Sequence, residues 1–275
     1  MGIKKYISPG GWFSLEYPSR WSEFEDEECS FLFYDPEKWS GNFRISAFKD
    51  SSADFAEQCM VDELKSNRLS SSVKIKDWKC VYSCESFTEK GESYDSHFWM
   101  TGSDNVSIEC SFTVRAGESK EVAESIIASL VFRPDNKSLP MEVIPIRVLE
   151  INVVNEAYDW AVSTIKEKLK KDFTSSQQDV VSLQKMIDGG LFKLDQKDCW
   201  SSFGIAFGTI LVNEMDGMDW VTVVDGKKEY PALRFKDTSV MVFPTELIWE
   251  KIYQGIKCDL KQEFERIYHQ VEEVL

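Results

Sequence analysis

The run from Trp12 to Trp21 constrains the fold of this chain more than any other segment. Phe13, Leu15 and Tyr17 alternate with polar residues, which is the period of a β-strand with one buried face. Pro18 cannot continue the hydrogen bonding of a central strand, so it predicts a turn before Trp21. The aromatic segments 31–34 and 43–48 then predict a meander whose inward side chains form one face of a sheet.

The remainder of segment 1–132 predicts further strands and two covering helices. The clearest strand is 105–115, where five apolar residues alternate with polar ones. Apolar stripes at helical spacing predict the two helices. The expected strands are 73–87, bent near Asp77, and 94–101, and the expected helices are about 51–68 and 119–130.

Residues 133–147 contain three prolines among polar residues and predict a linker, because proline interrupts both helices and central strands. The pattern then becomes mainly helical. Helices are expected at about 152–171, 177–188, 198–215, 244–253 and from 258, and strands at 219–224, 230–236 and 239–243. The sequence therefore predicts an α+β protein: an antiparallel sheet covered by helices over 1–132, the linker 133–147, and a mostly helical domain with a small antiparallel sheet over 148–275.

The composition excludes several classes of function. A net charge of -15, spread over both halves of the chain, repels polyphosphates and argues against nucleic-acid binding. No segment approaches the ~20 consecutive apolar residues of a membrane span, and the charged, glycine-containing start does not read as a signal peptide. The seven scattered cysteines predict free thiols. We therefore expect a cytoplasmic protein that binds neither nucleic acid nor membranes.

The sharpest candidate for catalysis is Cys199, at the predicted start of a helix, where amide groups and the helix dipole stabilise a thiolate. The only histidine downstream is His269, on the predicted terminal helix. We expect Cys199 to be structural and the protein not to be an enzyme. A thiol-dependent hydrolase using Cys199 and His269 remains the alternative.

The sequence predicts no metal and no cofactor. His97 and His269 are the only histidines, and neither has a second ligand at a usable spacing. His97 is expected at the surface or the edge of a strand. Cys80 and Cys84 lie ~13 Å apart along an extended strand, too far to share one zinc ion. The chain also has no glycine-rich phosphate loop and no nucleophile elbow.

The strongest candidate for binding is an acidic turn bordered by aromatic residues. Four consecutive carboxylates follow Trp21, and Trp39 lies shortly downstream. Acidic residues at a rim and an aromatic anchor suit a partner protein with a basic surface. The alternative is a solvated turn with Trp21 in the core. The predicted binding residues are Trp21, Glu25, Asp26, Glu27, Glu28 and Trp39.

The run from Trp12 to Pro18, Trp21 and the segment 43–48 resemble the PsbP-like family, which includes the Mog-type Ran-binding protein and the bacterial DcrB-like proteins. The resemblance covers about residues 6–132. It implies an antiparallel sheet packed between helices and a role in binding other proteins, in some relatives as chaperones of secreted effectors. The second domain, with Phe203, Gly204, Phe207 and Gly208, resembles an uncharacterised bacterial domain related to toxin-immunity neighbourhoods and implies no functional residues.

The combined prediction is a non-enzymatic bacterial protein-binding module with an immunity-like or chaperone-like role. The alternatives are the thiol-dependent hydrolase and a small-molecule binding protein with a pocket between its domains, a common place for pockets.

Overall fold

The computed structural model describes residues 2–25, 30–133, 140–226 and 228–275. The chain divides into two compact units, residues 1–139 and 140–275. Each unit combines antiparallel strands with helices, so the predicted α+β class is confirmed.

The first unit contains a seven-stranded antiparallel sheet with the order β3-β4-β5-β9-β8-β7-β6 and a three-stranded sheet with the order β1-β2-β10. Its elements, in chain order, are β1 (Ile3–Ile7), β2 (Phe13–Pro18), β3 (Ser22–Glu25), β4 (Ser30–Tyr34), β5 (Asn42–Lys49), α1 (Phe55–Ser66), β6 (Ser71–Ile75), β7 (Trp78–Glu89), β8 (Glu92–Ser103), β9 (Val106–Arg115), α2 (Glu121–Ala128) and β10 (Val131–Phe132).

The alternating pattern of the sequence decides which face of the large sheet is buried. The apolar residues of β9, from Val106 to Val114, are all buried, as the alternation predicts. They join a core built from the inner face of the large sheet, the small sheet and α2. We call the opposite side of the large sheet the outer face. There α1 packs through Met60 against Val81 and Met100.

The second unit is organised around one buried helix, α5, and a four-stranded antiparallel sheet with the order β11-β12-β13-β14. A 3₁₀ turn, Gln177–Asp179, leads into α4. The elements are β11 (Glu142–Pro145), α3 (Val148–Leu169), α4 (Val180–Asp188), α5 (Lys197–Glu214), β12 (Met218–Asp225), β13 (Lys228–Phe235), β14 (Met241–Val242), α6 (Pro244–Tyr253) and α7 (Leu260–Glu272).

The structure corrects the predicted linker 133–147. Residues 142–145 form β11, which pairs with β12 at the edge of the second unit's sheet. Pro145 is compatible with this position because an edge strand has one side without ladder hydrogen bonds. The next helix, α3, begins at Val148. Residues 134–139 lie outside the described part of the chain.

Within the described residues, none of the helices has the length and apolar character needed to cross a bilayer.

Candidate functional site

The predicted acidic turn falls largely outside the described residues. Glu25 is the last residue of β3, and Asp26, Glu27 and Glu28 belong to the undescribed segment 26–29. This segment joins Glu25 to Ser30, the first residue of β4. Trp39 follows Tyr34 at the other end of β4. β4 is five residues long, or ~13 Å. The segment with the predicted carboxylates ends at Ser30, and the segment that leads to Trp39 starts after Tyr34.

The structure also corrects the proposed role of Trp21. Its side chain is only 2% exposed and belongs to the core. Its ring lies stacked at a centroid distance of 6.4 Å from Phe112. Trp21 cannot contact a partner without opening this core, so its function is packing.

Trp39, in contrast, is 37% exposed and contacts Tyr94, which in turn contacts Phe87. Its ring meets Tyr94 edge-on at a centroid distance of 6.1 Å, and Tyr94 stacks on Phe87 at 5.5 Å. Phe87 is 42% exposed. We call Trp39, Phe87 and Tyr94 the aromatic surface.

Strand pairing explains why these residues meet. Phe87 and Tyr94 are directly opposite each other in the β7–β8 hairpin, on the outer face. Val81 lies six residues before Phe87 on β7, or ~20 Å away. It pairs with Met100 of β8, and α1 covers this pair. The aromatic surface therefore occupies the end of the outer face that is remote from the α1 contact.

Hydrogen bonds hold the aromatic surface in place. The Trp39 indole Nε1 donates to Asn42 Oδ1 at 2.6 Å, and the Tyr94 hydroxyl donates to Glu92 Oε2 at 3.0 Å. Glu92 also pairs with Arg115 at 3.3 Å. The hydrogen bond to Glu92 raises the pKa of Tyr94, so Tyr94 remains a neutral donor. Two of the three rings thus have an orientation that a hydrogen bond supports.

His97 is a buried residue, contrary to the surface or edge position expected from the sequence. It lies on the inner face of β8, is 7% exposed, and its Nδ1 is 2.9 Å from the Tyr82 hydroxyl. Burial, and then the Lys120 ammonium, lower the pKa of His97. Among the described residues its Nε2 has no hydrogen-bond partner. His97 is therefore neutral and contributes to packing with Tyr82 and Trp99.

The alternative thiol site, Cys199 with His269, shows no hydrogen bond between its two side chains. Burial, and then the Asp198 carboxylate, raise the pKa of the Cys199 thiol, which disfavours the thiolate that a nucleophile requires. His269 Nδ1 lies 3.0 Å from Glu272 on the same helix. Cys199 forms a hydrogen bond through its backbone amide to the Gln196 carbonyl, and none to His269 is present.

The cysteines of the described residues form no disulfide. The six cysteines in the described part of the chain are all free thiols, and Cys29 lies outside it. Over the same residues there is no group of three or more metal-ligating side chains.

A buried ionic cluster in the second unit was not foreseen from the sequence. Arg147, 1% exposed, forms two hydrogen bonds to Glu150 at 2.8 and 2.6 Å and one to Glu229 at 2.8 Å. Thr222 Oγ1 donates to Glu150 and accepts from the Arg147 amide. The cluster ties the start of α3 to β12 and β13. Arg147 stands at the end of the predicted linker, where nothing in the local pattern indicates burial.

Two protein-family models match this chain. The family model described as Domain of unknown function (DUF3805) matches residues 1–155, and the chain belongs to this family. A second model, Domain of unknown function (DUF3806), matches residues 179–264, from the last residue before α4 into α7. No curated protein sequence matches the chain.

One solved structure is similar over nearly the whole chain. It is a crystal structure from Bacteroides thetaiotaomicron VPI-5482, with 46% sequence identity and a TM-score of 0.92, covering 96% of this chain and 98% of its own. Two others are distant. LpqN of Mycobacterium tuberculosis, involved in cell envelope biogenesis, has 12% identity and a TM-score of 0.34 over 49% of this chain and 93% of its own. The cyanobacterial PsbP (CyanoP) of Synechocystis sp. PCC 6803 has 15% identity and a TM-score of 0.23 over 48% and 92%.

Proposed function

We propose that this protein is a non-enzymatic protein-binding module that contacts its partner through the aromatic surface. The observation that carries the proposal is the contact of Trp39, Phe87 and Tyr94 at the end of the outer face remote from α1, with Trp39 and Phe87 more than one third exposed. Exposed aromatic side chains in mutual contact leave apolar area in water that a partner can cover.

The aromatic surface has the properties of a binding hot spot. Tryptophan and tyrosine are enriched at positions that dominate binding energy because they bury a large area and lose few rotamers. The hydrogen bonds from Trp39 to Asn42 and from Tyr94 to Glu92 reduce the ordering cost further. This favours recognition by a rigid aromatic anchor.

Charge indicates the kind of partner. The net charge of -15 favours a partner with a basic surface, since opposite charges accelerate encounter. We assign this steering to the acidic residues 25–28 and the anchoring to Trp39. We expect the carboxylates to act through the long-range field, which salt screens over about 10 Å.

The finer proposal is an immunity-like or chaperone-like role in the bacterial cytoplasm, with a PsbP-like first unit. The order of strands and helices in residues 3–132 supports the PsbP-like assignment. The free thiols of the described cysteines suit a reducing compartment.

The first test compares proteins captured from a lysate of the source organism by the full chain and by three variants. Trp39→Ala and Phe87→Ala remove parts of the aromatic surface. Phe48→Ala is the matched control, because Phe48 also lies on the outer face and is 43% exposed. We expect mass spectrometry to identify a protein that the wild type and Phe48→Ala retain and that both other variants lose by about tenfold.

Circular dichroism must first show that the variants are folded. If Phe48→Ala loses the captured protein as strongly as Phe87→Ala, binding does not depend on the aromatic surface. If all four proteins capture the same set in equal amounts, the proposal is wrong.

A further inference from the structure

A groove lies between α4 and α7 in the second unit. It has a volume of 460 Å³, within the range of about 300–1,000 Å³ for small-ligand pockets. Val180 and Val181 of α4 and Phe264 of α7 line it. Val181 is 59% exposed, although it lies next to this apolar wall.

The groove is preformed, because one side chain joins its two walls. Gln184 of α4 accepts a hydrogen bond from the Leu260 amide at 2.9 Å and donates to the carbonyl of Cys258 at 2.9 Å. It also donates to Asp188 at 3.0 Å. These bonds fix α4 against the beginning of α7, so a ligand would not have to pay for ordering the walls.

The carboxylates and two of the lysines around the groove differ in whether they have partners within the protein. Its three carboxylates have partners within the protein: Asp188 accepts from Gln184, Asp259 from the Gln262 amide, and Glu265 pairs with Lys261 at 3.9 Å. Lys185 and Lys257 also line the groove, and neither has an ion pair with another described residue. Two ammonium groups are thus available beside an apolar wall.

We propose that the α4–α7 groove binds a small amphipathic anion, a carboxylate on an apolar chain. The chain would lie on Val180, Val181 and Phe264, and the carboxylate would accept hydrogen bonds from Lys185 and Lys257. Such charge-assisted bonds are stronger than neutral ones, and apolar burial adds to them. The site lies in the second unit and is independent of the aromatic surface.

The test uses decanoate as the probe and decyltrimethylammonium, which has the same chain and the opposite charge, as the control ligand. Both are titrated below their micelle concentrations into the full chain, with amide NMR as the readout. We expect saturable shifts from decanoate at Val180, Val181 and the Gln184 side-chain amide. The variant Lys185→Gln/Lys257→Gln should weaken decanoate binding about tenfold.

The matched variant is Lys171→Gln, which removes an exposed lysine of the same unit outside the groove and should bind decanoate like the wild type. Equal binding of both ligands, equal decanoate affinity of the double variant and the wild type, or shifts that do not include the groove would each overturn the proposal. Absence of saturable decanoate binding to the wild type would overturn it as well.

Discussion

His97 shows how the surroundings of one residue set its chemistry. The Tyr82 ring stacks on it, and Lys120 lies above the same tyrosine, 4.4 Å from the ring centroid. Burial, followed by the charge of Cys84, raises the pKa of Tyr82 to about 12, while burial lowers that of His97. Both side chains are therefore neutral near pH 7, as a core requires.

The lowered pKa of His97 makes the free energy of unfolding depend on pH. Since the pKa of His97 is lower in the folded than in the unfolded chain, the unfolded state binds more protons below about pH 6.5. We predict that the free energy of unfolding decreases as pH falls through 6.5, by at most about 1.4 kcal/mol per pH unit from this group. Urea unfolding at a series of pH values measures it.

His97→Gln should reduce the slope between pH 6.5 and 5.5, because it removes the imidazole whose pKa burial lowers. The same slope in His97→Gln and the wild type would contradict the assignment.

The two candidate tryptophans show what a local pattern can predict about a site. Both stand next to turns with charged residues, so the sequence does not distinguish them. Trp21 packs on Phe112, about ninety residues away, whereas Trp39 meets Tyr94 on the outer face. Their different roles depend on strand register, which a single sequence does not provide.

At the scale of elements, α5 is positioned by close packing. Gly204 and Gly208 lie one turn apart on the helix, and both face Pro244 at the start of α6. A Cβ at Gly204 would lie 1.8 Å from the Pro244 carbonyl oxygen, well inside any allowed contact. The i, i+4 spacing of the two glycines places both on one face of the helix.

We therefore predict that Gly204→Ala destabilises the protein. In a free helix the change would stabilise by ~1 kcal/mol, but here the methyl group must displace α6, at a cost of about 1–3 kcal/mol. Thr209→Ala on the same helix should change stability by about 0.5 kcal/mol or less. Denaturant melts of both variants give the comparison, and a Gly204→Ala protein as stable as the wild type would show that α6 does not pack this closely.

Most elements followed from periodicity, because alternation and helical stripes report which face is buried. β11 was missed because the three prolines of residues 133–147 indicate a linker. An edge strand tolerates proline, and whether a strand lies at an edge depends on the neighbouring strands, here β12. The Arg147 cluster was missed for a related reason: its partners Glu150 and Glu229 come together only when β13 pairs with β12.

At the scale of the whole molecule, net charge and the aromatic surface act on different steps of binding. The charge of -15 acts at long range and changes mainly the association rate, which salt reduces. A desolvated aromatic anchor acts at contact and changes mainly the dissociation rate. The account therefore predicts that the two contributions separate kinetically.

The most direct measurement is the binding kinetics of the captured partner, by surface plasmon resonance at low and high salt. Replacing residues 25–28 by serine should slow association at low salt and leave dissociation unchanged. Trp39→Ala should accelerate dissociation about tenfold or more at both salt concentrations, and Phe48→Ala should behave as the wild type. If the partner leaves Trp39→Ala at the wild-type rate, the aromatic surface is not the binding site.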